Sequence, residues 1–231
     1  MATKRASPAK KSAARKPAKK SAATKTRTRE QSKEATKARI VTAALDLFER
    51  QGFERTTTKE IARRARVAEG TVFNYFETKE DIALHFFELE VEHAIATVRS
   101  NEELRSAPLE ERLFALLEAQ FEYLAPYESF IGAAFLRALR PASKLGFSVD
   151  AMALRGRYLA FVQELIDDAL PIRHRAWHVS MFGPHAFWIF YVGVLLFWLG
   201  DSSPGKETTL AFVDRALRAG AAILRSESDD A

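Results

Sequence analysis

The strongest constraint in this chain is the stretch from Thr57 to Asp81, TTKEIARRARVAEGTVFNYFETKED. Thr57-Thr58-Lys59-Glu60 places a threonine three residues ahead of a glutamate, the pattern of a capping box that opens a helix. Ile61, Ala62 and Ala65 then form the apolar side of a short helix. Arg66 to Gly70 supply a tight connection, and a second short helix is predicted from Thr71 to Phe76, stopping at Glu77-Thr78. Thr78 caps a third helix, with Asp81 in its first turn favoured by the helix dipole. Two short helices joined by a turn of about 3–4 residues are the sequence form of a helix-turn-helix.

The second of these helices is divided. Val72, Phe73 and Phe76 are expected on one side, packed on the preceding helices. Gly70, Thr71, Asn74 and Tyr75 share the other side at the spacing of one helical face. Gly70 lets a backbone come close, Thr71 and Tyr75 offer hydroxyls, and Asn74 can bond a base edge or a phosphate. A face that served only structure would carry Lys, Glu or Gln. The alternative is a polar outer face with no partner.

A helix from Glu34 to Gln51 precedes this pair, with Ile40, Ala44, Leu45, Leu47 and Phe48 as its apolar stripe and Gly52 as its stop. Lys37 and Arg39 near its start are candidate phosphate contacts. Residues 1–29 hold 11 Lys/Arg and no acid, and PAKKSAA occurs there twice. So little of this segment can be buried that it is expected to be a disordered basic tail, able to act as a salt-sensitive arm on DNA phosphates. Residues 30–231 hold 24 Lys/Arg against 30 Asp/Glu, and from residue 81 onward the count is 14 against 21. The acidic part is a poor candidate for nucleic-acid binding and the first third a plausible one. The absence of cysteine removes disulfides and thiolate chemistry and accords with a reducing cytoplasm.

The first helix, the GFERTT link, the KEIARRARVAEGTVFNYF hairpin and the TKEDIALHFF continuation together resemble the DNA-binding domain of the TetR (tetracycline-repressor) family. The resemblance covers about residues 34–90 and rests on the spacing, Gly70, the Tyr75-Phe76 pair and Lys79 occurring together. It implies an all-α, homodimeric transcription factor, usually a repressor released from a palindromic double-stranded DNA operator by a small ligand. By the family pattern Thr57 and Thr58 would touch phosphate, Gly70, Thr71 and Asn74 would face the major groove, Tyr75 would reach phosphate, and Lys79 would clamp the backbone. Ala68 departs from the serine that many members use as a cap.

The implied organisation is a tail at 1–29, a helix-turn-helix domain at 30–80 and a helical ligand-binding and dimerisation domain at 81–231. In the last, helices are predicted at Pro108–Leu124, Glu128–Leu139 and Val149–Ala169, with Pro126, Pro141 and Gly146 as breaks. The stretch Ala186–Leu199 has no charge on any face and is short of the ~20 residues a membrane span requires. Such a helix must be covered all round. With Leu210, Val213, Leu217 and Leu224 of the next helix, it is expected to form a dimer face and no membrane segment.

Phe121, Phe130, Trp177, His178, Phe182, Trp188 and Tyr191 are candidate contacts for a small hydrophobic ligand, because large rings leave irregular space and polar tips orient a guest. His174, His178 and His185 approach a shared face, but Gly183-Pro184 is expected to interrupt the helix there, so no metal is predicted. No phosphate loop, HExxH or G-x-S-x-G occurs, and no cofactor or catalytic role is expected. The competing class is an architectural DNA binder dominated by its tail, with a C-terminal domain that only dimerises.

Overall fold

The computed structural model describes the backbone of residues 22–170 and 177–229 and the side chains of residues 29–170 and 181–223. Every long regular element among the described residues is helical: α1 (Ala22–Gln51), α2 (Thr58–Ala65), α3 (Glu69–Phe73), α4 (Lys79–Ser100), α5 (Leu109–Leu124), α6 (Glu128–Ala138), α7 (Lys144–Phe147), α8 (Val149–Ala169), α9 (Trp177–Gly200) and α10 (Glu207–Asp229). Residues 1–37 and 38–231 form two compact units, and the second carries the sites below. The described part of the first is the N-terminal half of α1, so most of the basic tail lies outside the described residues.

The caps act as the sequence predicts. The Thr57 hydroxyl accepts from Glu60 N–H, and the Glu60 carboxylate accepts in return from the Thr57 backbone at 2.9 Å, closing the box at the start of α2. Thr78 and Asp81 repeat the device at the start of α4. Gly52 ends α1 with φ +88°, a left-handed conformation that suits glycine. Arg66 takes the same region, φ 56°, at the C-cap of α2 and turns the chain towards α3.

The helix-turn-helix head formed by α2 and α3 sits beside an aromatic knot. Phe48 and Phe53 approach edge to face at 4.8 Å, Phe130 of α6 stacks on Phe48 at 5.0 Å, and Phe86 of α4 meets Phe130 at 5.8 Å. All four rings are buried. Burying a ring of this size contributes about 1.5–3 kcal/mol, which fixes α4, α6 and the part of α1 from residue 38 onward as one body.

Several elements differ from expectation. Helix α3 spans Glu69–Phe73 rather than reaching Phe76, because Asn74 already serves as its C-cap. Helix α9 runs unbroken with Pro184 inside it, so Gly183-Pro184 does not interrupt it. Proline removes one N–H, and packing of the buried Phe187, Tyr191, Val194 and Trp198 holds the rest of the helix together. Its apolar run is also longer than fourteen residues: Met181–Gly200 is long and apolar enough to cross a membrane by length and composition alone. Helix α7 was not expected. A side chain at Gly146 would run into the Ala138 carbonyl oxygen, so glycine is what allows α7 to fold back against the end of α6.

Candidate functional site

Two places in residues 38–231 carry functional geometry. The first is the outer side of α2 and α3. Ile61, Ala62, Ala65 and Val72 are buried, as is Phe76 just beyond α3, while Gly70 and Asn74 are exposed and Thr71 and Tyr75 half-buried. Phe73 departs from expectation: it is 49% exposed. Val72 and Phe76 stand four residues apart and take the inward direction, which turns Phe73 about 100° aside on so short a helix. A Cβ added at Gly70 would meet nothing within 4 Å. Nothing among the described residues therefore requires glycine there, although glycine in a helix costs about 1 kcal/mol relative to alanine.

Behind this face, ion pairs tie the head to α6 and α7. Arg137 of α6 bridges Glu54 at 2.8 Å and Glu80 at 2.7 Å, and Lys144 of α7 meets Asp81 at 2.6 Å. Burial works against the Asp81 carboxylate, but hydrogen bonds from Lys144 and Thr78 outweigh it and hold its pKa below the usual value. The Phe130 backbone N–H donates to the Glu49 carboxylate at 3.1 Å.

The second place is a chamber of about 380 Å³ lined from α4, α5, α6, α7, α8 and α9. Its walls are apolar, including Leu84, Phe87, Phe135, Trp188 and Tyr191. Glu90 of α4 and Gln120 of α5 add a carboxyl and an amide to this wall, and Gln120 accepts from the Tyr158 hydroxyl at 2.8 Å. Glu90 is 2% exposed, and its Oε1 has no hydrogen-bond partner among the described residues. Burial pushes its pKa up to about 8, offset in part by a hydrogen bond from Gln120. Ile131, Phe135, Ala138 and Leu145, from the elements that carry Arg137 and Lys144, line the same chamber.

Residues 40–86 match the family described as bacterial regulatory proteins, tetR family, and residues 112–229, about half of the chain, match the tetracyclin repressor-like C-terminal domain. The chain belongs to the TetR family. Among curated relatives, the fatty acid metabolism regulator protein of Bacillus subtilis is 31% identical over 87 residues, covering 37% of this chain and 44% of the relative. The HTH-type transcriptional regulator TcmR of Streptomyces glaucescens is 38% identical over 56 residues, 24% of this chain and 25% of TcmR. The chain thus spans less than half the length of these two relatives. Among solved structures, FadR of Bacillus halodurans superposes with TM-score 0.64 at 20% identity, over 79% of this chain and 94% of that one. The Thermus thermophilus FadR, a TetR family repressor solved with lauroyl-CoA, gives TM-score 0.58 at 25% identity, over 78% and 92%.

Against the TetR pattern, three expected phosphate contacts, Lys79, Thr57 and Thr58, are already engaged. The Lys79 ammonium donates to the carbonyls of Phe53, Glu54 and Thr56 at 2.7, 2.9 and 3.3 Å and lies 4.7 Å from the Phe53 ring centre. All three of its donors point into the α1–α2 loop, so here it is a staple of that loop rather than an open clamp. The Thr57 hydroxyl donates to Glu60 at 2.9 Å, and the Thr58 hydroxyl to Glu69 at 3.5 Å. Lys37 is half-buried and Arg39 exposed, and each has an interaction within the chain.

Of the expected ligand contacts, Trp188 and Tyr191 line the chamber. Phe121 does not: it is buried and stacked on Trp198 at 5.5 Å. Phe130 belongs to the aromatic knot. Phe182 is exposed beside a separate groove of about 420 Å³ between α5, α9 and α10. The side chains of His174, Trp177 and His178 lie outside the described residues, whereas His185 is described and exposed. Glu90, Gln120 and Tyr158 were missed.

The apolar face expected of α9 and α10 is divided too. Val213 and Leu217 are buried in the chain's own core, whereas Ile189, Leu196, Phe197 and Phe212 are between 44% and 73% exposed. That side of α9 lacks a full cover among the described residues of 38–231.

Proposed function

We propose that this TetR family chain is a ligand-responsive repressor that binds a palindromic double-stranded DNA operator as a homodimer. The head at residues 30–80 presents Gly70, Thr71 and Asn74 to the major groove and Tyr75 to phosphate, and residues 81–231 bind the ligand and dimerise. The observation that carries the reading is Gly70: an exposed glycine at the start of α3 with open space around it fits a partner whose backbone or base edge must come close. Asn74 beside it supplies an amide that can pair with adenine. The half-exposed rings and aliphatics of α9 and α10 fit a second copy, which would set two heads against a two-fold DNA site.

Lys79 enters the proposal in a changed role, holding the α1–α2 loop so that the capped start of α2 is presented to phosphate. Release follows from shared walls. A guest that spreads α6 and α7 would move Arg137 and Lys144, and through them Glu54, Glu80 and Asp81 at the root of the head. The two FadR structures, one of them holding lauroyl-CoA, support a chamber for an amphiphilic effector.

Selection of bound sequences from a random duplex pool, followed by footprinting, tests the reading. The expected result is an inverted repeat protected by the full chain, with the same sequence preference after removal of residues 1–29 and a shallower salt dependence. If sequence preference disappears with the tail, the architectural alternative replaces this one.

A further inference from the structure

The chamber contains one feature that a plain hydrocarbon chain cannot use. Glu90 is buried on α4 among apolar residues, and one of its carboxyl oxygens has no partner among the described residues. An unsatisfied buried polar atom is destabilising, and more so if charged. Saturated acyl groups would leave that cost in place. The walls around it are rings: Phe87, Tyr158, Trp188 and Tyr191 line the same space. Ring faces attract cations, most strongly where water is excluded. A carboxyl with a free oxygen inside an aromatic wall is the chemistry that recognises an ammonium group.

We infer that the chamber is a receptor for a lipophilic amine, whose ammonium pairs with Oε1 of Glu90 while its apolar body fills the space between Phe87, Trp188 and Tyr191. The inference rests on the reading of this chamber as the effector site and deepens it. At the rim, Leu139 and Phe147 are 63% and 59% exposed and also line the chamber, offering an apolar lip for the remainder of an elongated guest. Arg155, exposed on α8, lies over the Trp188 ring at 5.2 Å and marks the solvent side. Glu90 is the one acid among the lining residues, so the charge balance of the wall is set by this pair.

The proton balance follows. Without a guest, burial keeps Glu90 protonated near neutral pH. The titratable and charged groups that share its surroundings are Tyr123 of α5, Tyr158 and Arg155 of α8 and Tyr191 of α9, and the three phenols have pKa values raised by burial. They stay protonated as the amine enters. An amine arrives as ammonium, Glu90 releases its proton to solvent, and the ion pair forms with about one proton liberated per complex.

The test uses the full chain and three probes of equal length: decylamine, decanol and decanoate. Binding is followed by titration calorimetry in two buffers of different ionisation enthalpy at pH 7, with tryptophan fluorescence as a second readout. The expected result is at least tenfold tighter binding of decylamine, release of about one proton on its binding only, and loss of both in Glu90→Gln. Glu90→Asp keeps a carboxyl and should keep the amine preference, which separates recognition from damage to the fold. Equal or tighter binding of decanol or decanoate, or an amine preference that survives Glu90→Gln, overturns the inference. A separate titration asks whether decylamine frees the selected DNA. Glu90-dependent binding without release leaves the amine site standing and refutes the effector reading instead.

Discussion

In the head, α2 and α3 bury Ile61, Ala62, Ala65 and Val72 to hold a narrow polar face in the open. In the chamber, α4, α5, α8 and α9 do the reverse, leaving space at the centre and enclosing a carboxyl in it. The head is built from capping boxes and from staples such as Lys79, each satisfying backbone groups that short helices cannot satisfy alone. The chamber tolerates an unsatisfied group. A surface that reads a stiff duplex gains from rigidity, whereas a site that must respond to a guest gains from a defect which the guest repairs.

The largest effect that would sharpen this contrast is at Asn74. A lost bidentate base contact costs about 1–3 kcal/mol, and a dimer loses it twice, so Asn74→Ala should weaken operator binding by roughly a hundredfold or more. Circular dichroism and the melting temperature should stay unchanged, since the side chain is exposed. Gel-shift titration decides it, and wild-type affinity would remove Asn74 from the reading face.

Next comes Lys79→Met, which keeps a stem over Phe53 but deprives three carbonyls of their donor. The chain should lose about 2 kcal/mol in denaturant unfolding. DNA affinity should fall evenly across sequences, because the loop that presents α2 is loosened and no base contact is touched. A loss of affinity with unchanged stability would return Lys79 to direct phosphate contact.

How far the sequence reaches differs between the two regions for the same reason. Thr57–Glu60 and Thr78–Asp81 could be read because a capping box is local: four consecutive residues contain both partners. The bounds of α5, α6 and α8 lie within a residue of those predicted, because Pro108, Pro126 and Pro141 interrupt the apolar period at the right places. Phe73 was misplaced because a five-residue helix is too short to define a face by periodicity. Glu90 was invisible for a different reason. On α4 it follows Glu88 and precedes Glu92, and only contacts from α5, α8 and α9 tell the buried acid from its exposed or half-exposed neighbours. Phe121 and Phe130 were taken for chamber walls because an aromatic count cannot separate a packed ring from one beside a void.

The defect in the chamber makes a pH prediction. Unfolded, Glu90 titrates near its ordinary value of 4.5; folded, it titrates near 8. Between these values the folded state holds the extra proton, so its stability is greatest below the lower one and declines as pH rises towards the upper. Glu90→Gln cannot ionise and should lose this decline. Thermal melts should place the variant above wild type by about 3 °C or more at pH 8, with the gap closing towards pH 4.5. A constant gap at all pH values would mean that the carboxyl is solvated in the folded chain.

The smallest effect bears most directly on the comparison. Gly70 sits in α3 with nothing within 4 Å of where a Cβ would be. Replacing it with alanine adds a methyl group to open space and should stabilise the free chain by about 0.5–1 kcal/mol. On DNA the same methyl would stand between α3 and the groove, so operator affinity should fall by about tenfold while non-specific binding at low salt is unchanged. Opposite signs for stability and affinity would show that glycine is kept there for a partner outside the chain. If Gly70→Ala stabilises the chain and binds the operator as well as wild type, α3 does not lie close to the bases. The exposed residues beside Gly70 would then be an ordinary solvated surface, and the difference between head and chamber would no longer be one of function.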